Sequence, residues 1–324
     1  MEKLIFLFFS LIFFFFFFFA GRSGAEFISQ TQIIMTTYVT IIADASPREI
    51  QKAFEEIKRV TSLMNDYDPW SEVGTLNRKG ELSVSPEVRE VILKAIYFSK
   101  VTKGAFDITV GPLVRLWRKM GSEKRLPTSE ELKQALSLVG YNGVKIQDEK
   151  VFFEKKGMRI DLGGIAKGYA VDRAIEALKK EGVKNALVNA GGDMYCLGEG
   201  PHGKWKVGIQ HPRKDREVVG VIEVSNRGVA TSGDYRRYYI IKGKRFGHII
   251  NPFTGWTVQN NPMSVTIISS DCTSADALAT GVFVLGPVEG LNLIENLSGV
   301  EGMIISEGMR IKKSSGWYRF EVEN

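Results

Sequence analysis

The stretch from Arg159 to Leu178, RIDLGGIAKGYAVDRAIEAL, constrains this chain more than any other. Met158, Ile160 and Leu162 alternate in the manner of a short apolar strand. Gly163 and Gly164 then permit a tight turn in conformations that other residues resist. Ile165, Ala166, Tyr169, Ala170, Ala174, Ile175 and Leu178 follow at helical spacing. A strand that passes through glycines into a helix start points free backbone N–H groups at an anion. Lys167 would add a cation there, and Asp161 would hold a hydroxyl or an amine. The same residues also suit a plain β–α connection, because the stretch is neither G-x-x-x-x-G-K-[ST] nor a full G-x-G-x-x-G.

The 324 residues allow one large domain or two modest ones, and 44% hydrophobic with 25% charged residues is ordinary for a globular protein. The net charge of +6 comes from scattered Lys and Arg, which does not point to nucleic acid but suits an anionic small substrate. Cys196 and Cys272 fit no zinc spacing and no disulfide framework, and their apolar neighbours predict buried thiols. With only His202, His211 and His248 present, a divalent ion would need oxygen ligands, which favours Mg2+ or Ca2+.

Residues 1 to 25 stand apart. Lys3 precedes a nearly unbroken Leu/Ile/Phe run to Ala20, and Gly-Arg-Ser-Gly-Ala follows. This predicts an export signal cleaved near Ala20 or Ala25, or a retained membrane anchor, with residues 26–324 forming the folded part. Export would leave the protein periplasmic or tethered to the outer face of the inner membrane.

Beyond the leader, Ile33 to Ala43 is β-branched and strand-like. Ser46-Pro47-Arg48-Glu49 predicts a capped helix with Ile50, Phe54, Ile57, Val60 and Met64 on one face. It ends in a polar turn whose Tyr67 and Trp70 either pack back or stack on a flat ligand. A second helix starts at Ser85-Pro86, and a third at the Thr128–Glu131 capping box, stopping by Gly140. Between them, Asp107 in Gly104-Ala105-Phe106-Asp107 either reads a base edge or ribose, or closes an Asx turn. Short strands are expected at Val144–Ile146, Val151–Phe153 and Ala186–Val188, the last running into a second glycine turn, Asn189-Ala-Gly-Gly-Asp193. Trp205–Ile209, Val218–Val224, Tyr238–Ile241 and Phe246–Ile250 look like an antiparallel meander, with Ala230–Tyr235 as a polar turn. Val300–Ile305 and Trp317–Val322 alternate again. Strands outnumber helices without regular β-α-β order, so the fold class is α+β, with mixed or antiparallel sheets and flanking helices.

Near the C-terminal end, Ser270 to Thr280 reads as a capped helix. Asp276 and Thr280, four apart, share one face and offer two hard oxygens suited to Mg2+. They also suit a cap and a back-bonded hydroxyl. His248, just ahead of the Asn251–Gly255 turn, is either structural or catalytic.

Taken together, these segments resemble the ApbE family of FAD:protein FMN transferases. The resemblance rests on Met35-Thr-Thr-Tyr38, Ser71-Glu-Val73 with Leu76-Asn77, Gly104-Ala-Phe-Asp107, Asp161-Leu-Gly-Gly-Ile-Ala-Lys-Gly168, Asn189-Ala-Gly-Gly-Asp193, Thr231-Ser-Gly233, His248-Ile-Ile-Asn-Pro-x-Thr-Gly255 and Asp276-Ala-Leu-Ala-Thr280. Asn251 departs mildly, since the family often has Asp there. The resemblance implies an α+β fold related to the tunnelling fold. It also implies an enzyme using Mg2+ and FAD that transfers FMN to a Thr or Ser hydroxyl of an exported redox protein, releasing AMP. Asp276 and Thr280 then become metal ligands, with backbone oxygens of Gly164 and Ala279. Met35, Tyr67, Ala105, Phe106, Asp107, Asp161, Lys167 and Ile250 fall beside FAD, and His248 becomes the catalytic residue. A Mg2+-dependent FAD pyrophosphatase and an exported flavin-binding protein without turnover are the alternatives.

Overall fold

The computed structural model describes residues 26–235, 237–259 and 262–322, so the apolar leader expected at residues 1 to 25 lies outside the described residues. Strands β1 (Ile28–Ile34) and β2 (Thr37–Ala43) form a hairpin, followed by helices α1 (Pro47–Met64) and α2 (Glu72–Lys79). Next come β3 (Glu81–Ser83), α3 (Pro86–Val101), α4 (Gly111–Glu123), α5 (Ser129–Leu136), β4 (Val144–Gln147) and β5 (Lys150–Phe153). Helix α6 (Ala166–Lys180) leads to β6 (Ala186–Ala190), β7 (Asp193–Leu197), β8 (Trp205–Gln210), β9 (Val218–Val224) and β10 (Arg227–Gly233). The chain then forms β11 (Tyr238–Ile241), β12 (Lys244–Gly247), β13 (Ser264–Ser269), α7 (Cys272–Glu295), β14 (Glu301–Ser306) and β15 (Arg310–Lys313).

The architecture is α+β. Eight strands form one sheet in the order β1-β2-β6-β7-β10-β13-β14-β15, and every pairing in it is antiparallel. One face packs on α1, α6 and α7 through residues such as Phe54, Ile57, Ala170, Ala174 and Leu278. The other is covered by the β8–β9 hairpin and Trp317, with Val207, Ile222, Met303 and Ile305 between. Because both faces are covered, β7 and β13 are buried at every position and show no polar alternation.

Local capping explains the helices that the sequence announces. At α1, Ser46 and Glu49 exchange side-chain-to-backbone hydrogen bonds, and Thr128 and Glu131 do the same at α5. Helix α7 extends well past Thr280 and is interrupted at Gly286, whose positive φ of 81° is followed by Pro287. Cys196 and Cys272 are free and fully buried, as expected.

Four expectations are corrected. Met158 to Leu162 is not a strand; the Asn77 side chain substitutes for a neighbouring strand, accepting from Ile160 N (2.7 Å) and donating to its carbonyl (2.8 Å). Residues 205–250 form no single meander: β8–β9 and β11–β12 are separate hairpins. The expected polar turn at 230–235 is largely β10, paired between β7 and β13 in the main sheet. Trp317 to Phe320 is a 3-10 turn, with Trp317 buried as a plug.

Asn77 is buried, and its removal would leave a backbone donor and acceptor of Ile160 without partners. Asn77→Ala is expected to destabilise the fold by about 3 kcal/mol, measured by urea denaturation.

Candidate active site

The site is built where α6 and α7 start. Helix α6 has no side-chain cap of its own, because its N-cap is Ile165. Instead Asp276, in the second turn of α7, accepts from Gly168 N at 3.1 Å through Oδ2. Gly168 is required here: a Cβ would lie 2.3 Å from the Cys272 carbonyl oxygen and 2.9 Å from Asp276 Cβ. Asp276 is 3% exposed, and burial raises its pKa, an effect opposed by the Lys167 charge and the Gly168 hydrogen bond.

One turn later, the Thr280 hydroxyl meets Ser232 Oγ at 3.2 Å. A Cβ on Gly164 would sit 3.1 Å from Thr280 Oγ1 and 3.2 Å from Phe106 Cε2, so the glycine turn, Thr280 and Phe106 converge closely. Lys167 pairs with Asp193 at the start of β7 and lies 3.9 Å from Asp276 Oδ1. The two glycine turns therefore meet, through Lys167 and Asp193, although one of them follows no strand.

A second group of residues is gathered around Asp161. Asp161 Oδ1 accepts from Gly163 N at 2.7 Å; burial raises its pKa, against the charges of Arg118 and Arg237. Asp66 is pushed up to about 6 by burial and by Asp161, opposed by Arg118, Arg159 and Arg115. The Arg118 guanidinium lies over the Tyr67 ring at 4.0 Å, while Tyr67 stays 56% exposed. Arg237 donates to Thr36 Oγ1 at 3.0 Å. Met35 and Thr36 form the tip of the β1–β2 hairpin with φ of 53° and 57°, a left-handed pair normally left to Asn and Gly. Such backbone strain in a bulky pair concentrates at functional positions.

His248 follows β12 directly. Its Nδ1 lies 3.0 Å from the Arg237 carbonyl. A carbonyl only accepts, so Nδ1 carries the proton and Nε2 keeps a free lone pair. Its pKa is moved downward, first by loss of solvent around the ring and then by Arg237 and Lys167. The residue keeps an exposed face, and the downward shift leaves the imidazole neutral at pH 7.

The other expected residues have more structural settings. Asp107 is buried in an Asx turn, accepting from Thr109 N (2.7 Å), Thr109 Oγ1 (2.6 Å) and Tyr141 N (2.9 Å). Ala105 is buried, and Ile250 packs in one cluster with Trp117, Phe246 and Leu113. Ala279 is buried in α7 next to Thr280. Among the described residues no three His, Cys, Asp or Glu side chains gather as a metal site. The oxygens at hand are one carboxylate, one hydroxyl and backbone carbonyls. That set suits a hard cation, and Asp276 Oδ1 has no partner closer than Lys167. Two surface grooves lie elsewhere, one of about 530 Å3 beside Trp70 and Leu82, the other of about 300 Å3 beside His211 and Arg213; neither is lined by Asp276, Thr280 or His248.

The ApbE family profile matches residues 35–304. This chain belongs to the ApbE family. A relative from Haemophilus influenzae named FAD:protein FMN transferase is 36% identical over 288 residues, spanning 83% of each protein. The crystal structure of an ApbE protein from Thermotoga maritima aligns with a TM-score of 0.85 at 36% identity, covering 92% of this chain and 100% of that one. The flavin transferase ApbE from Vibrio cholerae aligns with a TM-score of 0.81 at 32% identity and the same coverage.

Sequence reasoning gave no role to Asp66, Arg118, Asp172 or Arg237, since their partners lie far away along the chain. Asp193 was visible only as the end of a motif. Within this ApbE-family site the tightest constraint is Gly168. Gly168→Ala is expected to cost about 2 kcal/mol or more by forcing α6 from α7. Gly220→Ala, whose methyl would meet open space, should stay within about 0.5 kcal/mol; thermal unfolding of both variants checks the contrast.

Proposed function

We propose that this chain is an FAD:protein FMN transferase that moves FMN from FAD to a Thr or Ser hydroxyl of an exported redox protein and releases AMP. The observation that carries the reading is the close approach of Thr280 to Gly164 and of Asp276 to Lys167, with a neutral His248 under the field of that same lysine. Membership of a family whose relatives bear that name supports it. The apolar leader supports an exported location, periplasmic or anchored to the outer face of the inner membrane.

In this reading Asp276, the Thr280 hydroxyl and the carbonyls of Gly164 and Ala279 would hold Mg2+. When bound, that ion neutralises diphosphate charge. The Lys167 ammonium attracts the same anion. Tyr67, Met35 and Phe106 give the flavin and adenine flat or apolar surfaces, Ile250 supports the floor, Asp161 fixes a polar edge, and Ala105 and Asp107 hold the loop that carries Phe106. The acceptor oxygen attacks the FMN phosphorus and forms a new P–O bond as the bond to the AMP phosphate breaks. His248 Nε2 takes the hydroxyl proton, and AMP leaves with the bridging oxygen. Positioning and electrostatics do most of the work in such transfers.

Incubation with FAD, Mg2+ and an acceptor protein is expected to add one FMN mass to the acceptor, read by intact-protein mass spectrometry. Free FMN and AMP without adduct would mark a pyrophosphatase, and intact FAD a binding protein. Asp276→Asn keeps an oxygen for Gly168 N but removes the charge, and it should lower the transfer rate by about a hundredfold or more.

A base must be neutral to accept a proton. Since the surroundings lower the His248 pKa from 6.5, its neutral form persists to lower pH, and the acid limb of kcat/KM should fall below pH 6.5. His248→Ala should remove that limb and slow the chemical step while FAD affinity, by titration, changes only a few-fold. An acid limb unchanged in His248→Ala would assign the proton transfer elsewhere.

A further inference from the structure

Asp193 occupies the first position of β7 and is 2% exposed. Its Oδ2 is buried and meets the Lys167 ammonium, with no other hydrogen-bond partner. The same ammonium lies 3.9 Å from Asp276 Oδ1, whereas Asp276 Oδ2 is taken by the Gly168 amide. One cation therefore stands between two buried carboxylates and makes its contact with the one that has no place in the ligand set.

We propose that Asp193 is a positioning residue for the cation site: it holds the Lys167 ammonium off Asp276 and so keeps Asp276 Oδ1 open to a divalent ion. The inference rests on the reading of Asp276 as a metal ligand. A cation ligand must be deprotonated and must offer a lone pair. An ammonium bonded to Asp276 Oδ1 would occupy that lone pair and cancel the attracting charge, and both effects are amplified away from water. Lys167 has a flexible four-carbon stem and three donors, so it swings easily to whichever carboxylate holds it best. Asp193 is the fixed partner of the two. Its place is set by the β6–β7 hairpin, whose turn is locked by Gly192 N donating to Asn189 Oδ1 at 2.8 Å and by positive φ at Gly191 and Gly192. A Cβ at Gly191 would meet Thr37 Oγ1 at 2.4 Å, so the turn is also pressed against β2.

The direct test is Mn2+ binding to the full chain with FAD and acceptor absent, followed by loss of the free-ion EPR signal. Mn2+ shares the oxygen-ligand preference of Mg2+. Asp193→Asn should weaken Mn2+ binding by about tenfold, in the range seen when a ligand's supporting partner is removed. Asp193→Asn combined with Lys167→Met removes both charges of the pair, and should restore affinity to within about threefold of the wild type. A residue that merely supported the fold would leave the double variant weaker than Lys167→Met alone, since loss of the ammonium by itself raises cation affinity. That result, or wild-type affinity in Asp193→Asn, overturns the proposal. The double variant also decides the matter if Asp193→Asn does not fold, because its affinity is compared directly with Lys167→Met. A wild-type chain that takes up no Mn2+ would instead overturn the cation-site reading, and this inference with it.

Discussion

The start of α6 and the start of α7 lie against each other in the core, and each is satisfied by a carboxylate from the other helix. Asp276 of α7 accepts from Gly168 N of α6. Asp172 of α6 accepts from Cys272 N and Thr273 N of α7, both at 2.8 Å. Helix starts carry unsatisfied N–H groups and a partial positive charge, so this exchange answers two costs with two side chains. The start of α7 is filled by Asp172 and by its own cap, Asp271. The start of α6 has no cap from Ile165 and keeps Lys167 beside it. Asp276 is thus fixed as a structural acceptor through one oxygen and left with the other facing the site.

The remaining parts of the site are delivered by two hairpins, the base of one pinned to the tip of the other. His248 is tied twice to the Arg237 carbonyl, through its backbone N–H at 3.1 Å and through Nδ1, so the ring is oriented by the base of the β11–β12 hairpin. Arg237 in turn reaches the strained β1–β2 tip at Thr36. A displacement of either hairpin would therefore move Met35 and His248 together. This coupling brings residues more than two hundred positions apart into one site without a long active-site loop.

Sequence alone revealed what is local. Capping boxes at Ser46 and Thr128, the helical stripe of α1 and the four-residue spacing of Asp276 and Thr280 depend on neighbours within one turn, and all have the expected secondary structure. Alternation failed in two opposite ways. It suggested a strand at Met158–Leu162, where the partner is the Asn77 side chain and not another strand. It hid β13, where both faces are buried, so that Ser264-Val-Thr-Ile-Ile-Ser269 has no exposed face. The pairs that organise the site, Asp172 with Thr273 and Asp276 with Gly168, span about a hundred residues. Nothing in the flanking sequence marks such partners.

Asn251, where the family resemblance leads to an expectation of Asp, shows which part of a motif is structural. Its Oδ1 accepts from Phe253 N at 2.9 Å and from Thr254 N at 3.2 Å. An amide oxygen does this as well as a carboxylate, so the exchange alters a charge and not the turn. The turn matters because it sets Gly255, whose positive φ of 73° and carbonyl bond from the Trp117 indole at 2.8 Å anchor the segment against α4. A Cβ at Gly255 would approach Leu132 and Leu113 within 2.9 and 3.1 Å. Residues 249–258 thus form a rigid floor: Ile249 accepts from Val258 N, and Ile250 bridges to Thr257. His248 stands at the edge of that floor, so the motif it opens holds the imidazole in place by backbone geometry, with the Asn251 side chain needed only as a hydrogen-bond acceptor.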